Sequence, residues 1–413
     1  MTTADRPATT RPTPPWTVVA ALVLVAANLR TLMASLPPLA ESIRADLGLS
    51  SAAMGVLTTL PVLCMGLLAP VANLVARRLG PGVAVGHGVG LVLVGLVVRG
   101  VAGDQVWSLY AGTFLAGAGI ALAGTLLPGI VKSVFPAHRS GLGTGLTMMS
   151  MMGFAAIASA VSVPLARVLG GWSGSLLAWA PLAAVAGLVW VPMARRAARR
   201  AAVAPAPLGE DVTHALPWRS TTAWVLAAYL TCQSWQFYSS LAWLAPTFES
   251  HGWSAGDSGL LMSVFTGAQL VSGLLAPTLL DRVHDPRRLL LLATLLGGVG
   301  EAGVWLAPEA GAWGWALLLG AGQGACFALG LGLLVRYAVT PRDSARLTAM
   351  AFLVSYSLAS AGPATMGAVR DASGGYSLLW ALLALVSLPQ LAALARLRPT
   401  APRVGEAPER VTA

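Results

Sequence analysis

The sequence predicts an all-α membrane protein with twelve transmembrane helices in two pseudo-symmetric six-helix bundles. Three observations predict this. First, 56% of the 413 residues are hydrophobic and 10% are charged, whereas a soluble domain carries roughly 25% charged residues. Second, long apolar runs alternate with short polar ones, which reads as many helices. Segments of about ten residues with period-two alternation, the mark of a membrane barrel, are missing. Third, the second half of the chain repeats features of the first.

The spans can be marked in order, each near the roughly 20 apolar residues a bilayer requires. They cover 16–40, 51–76, 81–102, 105–132, 140–168 and 172–194, then 220–248, 256–280, 287–307, 312–338, 344–369 and 375–397. Turn-forming residues interrupt them: Gly80-Pro81, Pro136, Gly170-Gly171, Pro286, Pro341 and Gly374-Gly375. The longest interruption, 195–219, is basic, then Ala/Pro-rich, then polar. It reads as a cytoplasmic linker between an N-terminal bundle, 16–194, and a C-terminal bundle, 220–397. The Thr/Pro-rich stretch 1–15 and the stretch 398–413 are expected to be disordered tails. Arg6 and Arg11 before an apolar run resemble a signal peptide. The run is too long for one and carries Arg30, so it reads as an uncleaved first span.

The repeat is visible in three places. Gly66-Leu67-Leu68-Ala69-Pro70 recurs as Gly273-Leu274-Leu275-Ala276-Pro277, an offset of 207. Gly117-Ala118-Gly119 recurs as Gly320-Ala321-Gly322, an offset of 203, and Gly170-Gly171-Trp172-Ser173 as Gly374-Gly375-Tyr376-Ser377, an offset of 204. The matches keep one order and nearly one offset, so the chain looks like a six-span unit duplicated in parallel.

Basic residues set the orientation. With the N-terminus in the cytoplasm, 21 of the 26 basic residues fall at cytoplasmic ends and loops, and four fall outside: Arg44, Arg99, Arg167 and Arg370. Both termini are then cytoplasmic, and the cell (inner, cytoplasmic) membrane is the expected location. The net charge of +10 is thereby explained by topology, so no nucleic-acid partner is expected. Membrane lipids and a small solute are the expected partners of a monomer.

One basic residue is left over. Arg30 lies about 12 residues past Val18, roughly 18 Å along a helix at 1.5 Å per residue. A guanidinium at such depth costs roughly 2.5–3.5 kcal/mol on insertion scales. It offers a flat fork of donors suited to a carboxylate or another small anion. Its neighbours one turn away include Ala26, Ala27 and Ala34, so a small partner can approach. Two readings stand: contact with an anion, or satisfaction by helix carbonyls or a buried acid. Buried acids are scarce, since of 16 Asp and Glu residues only Glu301 lies clearly inside a span.

Adding the repeat offset of 203–207 to Arg30 lands on Gln233 to Phe237. Tyr229, Gln233, Gln236 and Ser240 there share one helical face. Buried amides need hydrogen-bond partners, so this face meets either the central cavity or another helix. Trp235, Tyr238 and Trp243 are candidates for an aromatic wall, with packing or interface anchoring as the alternative. Asn28 and Gln323 are further substrate-binding candidates, followed by Gln269 and Tyr356.

Other chemistry is disfavoured. Cys64, Cys232 and Cys326 are single, distant and inside spans, without metal-ligand spacing. His87 reads as packed within span three, with a proton relay as the alternative. Met148, Met149, Met151 and Met152 suit adaptable helix packing. The glycines of 141–145 suit close helix contact, and no Walker-type phosphate loop is present. No metal, cofactor or catalytic constellation is evident, so the chain does not read as an enzyme.

Two six-span halves joined by a long loop resemble the major facilitator superfamily. The resemblance implies alternating access around a midplane site between the halves, lined by spans one, four, seven and ten. The superfamily's loop signature after span two is matched in part. Asn73 to Gly80 carries Arg77-Arg78 where an Asp-Arg pair is usual, and the second half holds Asp281-Arg282 followed by Arg287-Arg288. These residues read as a conformational latch or as topology-setting charge.

A narrower resemblance covers most of the chain. It rests on Ala27-Asn28-Leu29-Arg30, Gly119-Ile120-Ala121, Leu126-Leu127-Pro128 with Val131-Lys132, Gln233-Ser234 with Phe237-Tyr238, Trp243-Leu244-Ala245-Pro246, and Gly322-Gln323-Gly324 with Phe327-Ala328. In this order they resemble the cyanate/2-nitroimidazole permease family. Thr31 stands where many relatives have Pro, and Ala245 interrupts their Trp-Leu-Pro. The resemblance implies secondary active or facilitative transport of a cyanate-like or nitroheteroaromatic solute. Arg30 itself points to an anionic or electron-rich polar one. An efflux pump of the same superfamily is the alternative, although span five lacks Gly-Pro. A non-transporting sensor or scaffold is disfavoured by the absence of a sizeable soluble module.

Overall fold

The structure is a computed structural model and describes residues 16–101, 105–135, 140–203, 216–280, 286–397 and 401–405. The N-terminal stretch 1–15, residues 204–215 of the linker and the second-half latch residues Asp281 and Arg282 lie outside the described residues.

The first half runs through α1 (Trp16–Ala34), α2 (Ala40–Leu47), α3 (Ser51–Leu67), α4 (Ala69–Leu79), α5 (Pro81–Val101), α6 (Val106–Val134), α7 (Ser140–Val168), α8 (Trp172–Leu177) and α9 (Ala180–Val203). The second half has α10 (Thr221–Ser250), α11 (Ala255–Leu280), α12 (Pro286–Leu306), α13 (Ala312–Arg336), α14 (Pro341–Ala359), α15 (Ala361–Ser373) and α16 (Ser377–Arg396). These supply the twelve expected crossings. Among the described residues, ten helical runs are long and apolar enough to cross a membrane. The second crossing is made by α3 and α4 together. They break at Leu68 because Pro70, at the start of α4, has no N–H to continue the ladder and its ring excludes a carbonyl one turn back. The eleventh crossing is split in the same way at Ser360, ahead of Pro363. The seventh, α10, is 30 residues long and carries several Gln, Ser and Thr residues.

The halves meet tightly at the end where α1 stops and α3 begins, here the distal end. Chain reversal at Pro37-Pro38 lays α2 across this end. Glu41 on α2 accepts from the Tyr376 hydroxyl of the other half at 3.0 Å and pairs with Arg44 at 2.8 Å. Asp371, at the end of α15, accepts from the backbone N–H groups of Ser51 (3.2 Å) and Ala52 (2.9 Å). These are the free donors of the α3 N-terminus, where a carboxylate is favoured by unsatisfied N–H groups and the helix dipole. One turn deeper, Gly55 lies against the backbone of Pro363 and Ala364. On the other flank, Ser263 of α11 donates to the Ala156 carbonyl of α7 at 2.9 Å.

Two expectations change. Arg99 is counted among the outer-side charges that set topology, yet it is fully buried in the last turn of α5. Close approach of Gly112 on α6 to the Arg99 backbone draws it inside the bundle, and its guanidinium has no hydrogen-bond partner among the described residues. The tail expected to be disordered is ordered over 401–405. Val404 N–H donates to Tyr337 (2.8 Å), Val339 N–H donates to Val404 (3.0 Å), and Thr222 donates to the Pro402 carbonyl (2.8 Å). Val404 also buries its side chain in the second-half core, enough apolar contact to hold the segment.

Candidate functional site

Helix α1 brings Arg30 to the boundary between the halves, half-buried, where α7 faces α10 and α11. Its guanidinium carbon lies 5.6 Å from the centre of the Phe237 ring on α10. A cation over a ring face is attracted by roughly 0.5–2 kcal/mol, the larger value in desolvated places. Phe237 is held from behind by Phe265 of α11, stacked at 6.0 Å, and from the side by Tyr238 at 5.0 Å. Tyr238 meets Tyr356 of α14 edge-on at 6.2 Å. Met33, Met152, Thr266 and Gln269 complete the cleft. The cleft is about 10 Å³, room for roughly one water molecule, so the halves are closed around it. Among the described residues no carboxylate pairs with Arg30.

The other predicted site residues divide. Tyr238 packs on Phe237, beside the cleft. Asn28, one residue pair before Arg30, points away: its amide donates to the Leu24 carbonyl at 2.8 Å and towards Leu182 of α9 at 3.5 Å. Gln233 and Gln236 face the interior of the second half, not the cleft. Gln233 donates to the Gln323 side chain at 3.1 Å, and Gln323 donates to Gln236 at 3.4 Å. Gln236 donates to Ser387 of α16 at 2.8 Å and to Glu301 of α12 at 3.2 Å. The amides thus cross-link α10, α12, α13 and α16, the second of the two readings open from sequence. Trp243 belongs to the distal seal, where it donates to the Pro363 carbonyl at 2.9 Å and packs on Tyr376 and Gly367. The aromatic wall is therefore Phe237, Tyr238 and Tyr356, without Trp243. Arg77 and Arg78 are exposed on the last turn of α4.

Phe237 is the site residue that sequence reading passed over. A signal existed, since an offset of 207 from Arg30 lands on it. The pseudo-symmetric mates face each other across the boundary.

The amide placement changes one expected result. Replacing Gln236 by Leu removes its hydrogen bonds to buried Glu301 and Ser387, and a buried unsatisfied polar group costs about 1–3 kcal/mol. Thermal unfolding in detergent should show Gln236→Leu clearly destabilised, while its half-saturation concentration for solute stays within a few-fold of wild type.

Residues 18–363 match the family model described as Major Facilitator Superfamily. The chain belongs to the major facilitator superfamily. It is 34% identical over 371 residues to the 2-nitroimidazole transporter of Escherichia coli (strain K12), covering 90% of this chain and 92% of that protein. It is 31% identical over 366 residues to the cyanate transport protein CynX of the same organism, covering 88% and 92%. Among solved structures, the inward-open xylose transporter XylE from E. coli superposes with a TM-score of 0.71 at 14% identity, over 92% of this chain and 95% of that one. A POT family transporter in complex with 5-aminolevulinic acid gives 0.73 at 15% identity, over 92% and 96%. These superpositions identify the major facilitator fold. The superfamily and these relatives are transporters, so the chain is a multi-pass membrane transporter of small solutes and not an enzyme.

Proposed function

We propose that the protein carries a small anionic or electron-rich polar solute, of the cyanate or nitroheteroaromatic kind, by alternating access. The observation that carries this reading is Arg30: a guanidinium without a carboxylate partner among the described residues, set at the boundary of the halves against an aromatic wall. Its N–H fork suits a small anion, and the Phe237 and Tyr238 rings suit a flat, polarisable one. The names of the 2-nitroimidazole and cyanate relatives fit both features. Arg30 and Tyr238 are the proposed solute contacts, while Gln233, Gln236, Gln323, Asn28 and Trp243 brace the helices around them. With the distal end sealed by Glu41, Asp371 and Gly55, the solute reaches the cleft from the opposite end when the halves part. The excess of arginine at that end supports a cytoplasmic placement of both termini in the cell membrane. One chain in a lipid bilayer suffices for this cycle.

The test is uptake of cyanate and of 2-nitroimidazole into proteoliposomes. Saturable uptake of at least one solute, inhibited by the other, is the expected result. Uptake indistinguishable from that of protein-free liposomes for both solutes would exclude this substrate class.

A further inference from the structure

Glu301 is a buried ionisable group that the solute site does not use. It lies five residues before the end of α12, is 0% exposed, and has no cation partner among the described residues. One carboxyl oxygen accepts from the Gln236 amide at 3.2 Å, and the other has no hydrogen-bond partner. The groups around it are neutral. Helix α10 supplies Gln236 and, farther along, Tyr229. Helix α13 supplies Gln323 and Cys326, and α16 supplies Ser387 and Gln390. Helix α11 carries only Asp257, which is exposed and bonded to Ser254. An unpaired carboxylate in such surroundings is far costlier than a neutral acid. A glutamine could make the same bond at Gln236 without that cost. What a glutamate adds is the capacity to gain and lose a proton.

We propose that Glu301 is a proton-binding site that couples solute movement to a proton gradient. The carboxylate takes up one proton, forming one O–H bond, while its side of the bundle opens to the proton-rich compartment. It releases that proton, breaking the same bond, after the halves have exchanged access. No other reactant is needed. The connection to the cleft is short. A carboxylate only accepts hydrogen bonds, whereas the acid also donates one, so protonation reverses what Gln236 must offer. Gln236 precedes Phe237, the ring against Arg30, and its side chain links to Gln323 and Ser387. The charge state of Glu301 therefore acts on the helix that forms one wall of the solute site. If the cargo is a monovalent anion on Arg30, which rests on the functional reading above, one proton travelling with it leaves no net charge to cross.

Two measurements on full-length protein in liposomes test this, comparing wild type with Glu301→Gln and Arg30→Ala. The first uses no solute. Infrared difference spectra over a pH titration should show the carbonyl stretch of a titrating carboxylic acid in wild type and Arg30→Ala, and lose it in Glu301→Gln. An unchanged titrating band in Glu301→Gln overturns the proposal. The second uses labelled cyanate. Wild type should accumulate it about tenfold under a pH gradient of one unit, a tenfold proton ratio. Glu301→Gln should equilibrate cyanate without accumulation, while its exchange against preloaded cyanate stays within about threefold of wild type, as the solute contacts are intact. Accumulation by Glu301→Gln at the wild-type level overturns the proposal, as does wild-type exchange that no pH gradient drives. Arg30→Ala losing exchange and accumulation together, with its infrared band retained, reports on the solute site. Absence of all cyanate transport in wild type would sink the solute reading and leave the infrared titration to decide the proton site.

Discussion

Replacing Arg30 by Ala should raise the half-saturation concentration for cyanate by roughly 10- to 100-fold and leave the protein at least as stable as wild type. The affinity loss follows from removing hydrogen bonds to a charged ligand, each worth about 1.5–3 kcal/mol, where about 1.4 kcal/mol is tenfold. The stability sign follows from the surroundings of Arg30. Its partner is the face of the Phe237 ring, and among the described residues no carboxylate is left stranded when it goes. A charge that costs roughly 2.5–3.5 kcal/mol in the middle of a span is removed at the same time. A structural arginine would give the opposite pair of results, lower melting temperature with affinity unchanged. Arg30→Lys should fall between wild type and Ala, because an ammonium keeps the charge and loses the planar fork. Uptake kinetics in proteoliposomes and thermal unfolding in detergent, on the same preparations, separate these outcomes.

The second large effect is at the distal seal. A side chain at Gly55 would meet backbone of the other half, with a Cβ only 2.6 Å from the Ala364 Cα. Backbone cannot swing aside as a side chain can, so Gly55→Val must part α3 from α15. Overpacking of this kind costs typically about 1–3 kcal/mol. That is enough to shift an equilibrium between two access states by roughly 5- to 150-fold, and only the distally closed state bears the cost. The expected result is a transporter trapped open at the distal end, with transport down at least about tenfold. The measurement is modification of a cysteine at position 51 by a membrane-impermeant reagent, with Cys64, Cys232 and Cys326 replaced. Ser51 is fully buried in the closed seal. A cysteine there should react slowly in the parent and rapidly in the Gly55→Val background. Equal reactivity in the two backgrounds would show that Gly55 is not part of the seal. Asp371 extends the same logic. Its two bonds to the α3 N-terminus are available only when the halves meet, so it favours closure without holding either half together.

Much of the architecture was legible in residues with plain signals. Proline and paired glycines marked span ends, and the offsets of 203–207 marked the duplication. Arg30 stood out because a charge in an apolar run has no cheap explanation. The partners of the buried polar groups were harder to read. Gln233 and Gln236 sit on one face of α10, as their spacing requires, but that face could meet the cavity or a neighbouring helix, since both arrangements bury it. The observed bonds to Gln323, Glu301 and Ser387 place it against helices. Arg99 misled for a related reason. Its position near a span end fits an outer loop, and only the close fit of Gly112 on α6 draws it inside. The short stretch 401–405 read as tail because its few apolar residues show no periodicity. It is ordered by a surface it docks on, around Tyr337 and Thr222.

By itself, the sequence determined the membrane class, the twelve crossings, the duplicated six-span unit and the anomaly at Arg30. All of these depend on hydropathy, chain stiffness and charge, which are properties of residues and their near neighbours. The tertiary structure decided which polar groups meet. It set Arg30 against Phe237, turned Asn28 towards α9, joined the glutamines to Glu301 and closed Gly55 on Pro363. Those outcomes depend on how helices rotate and approach, and helix approach is governed by side-chain fit between segments far apart in the chain, which local pattern does not encode.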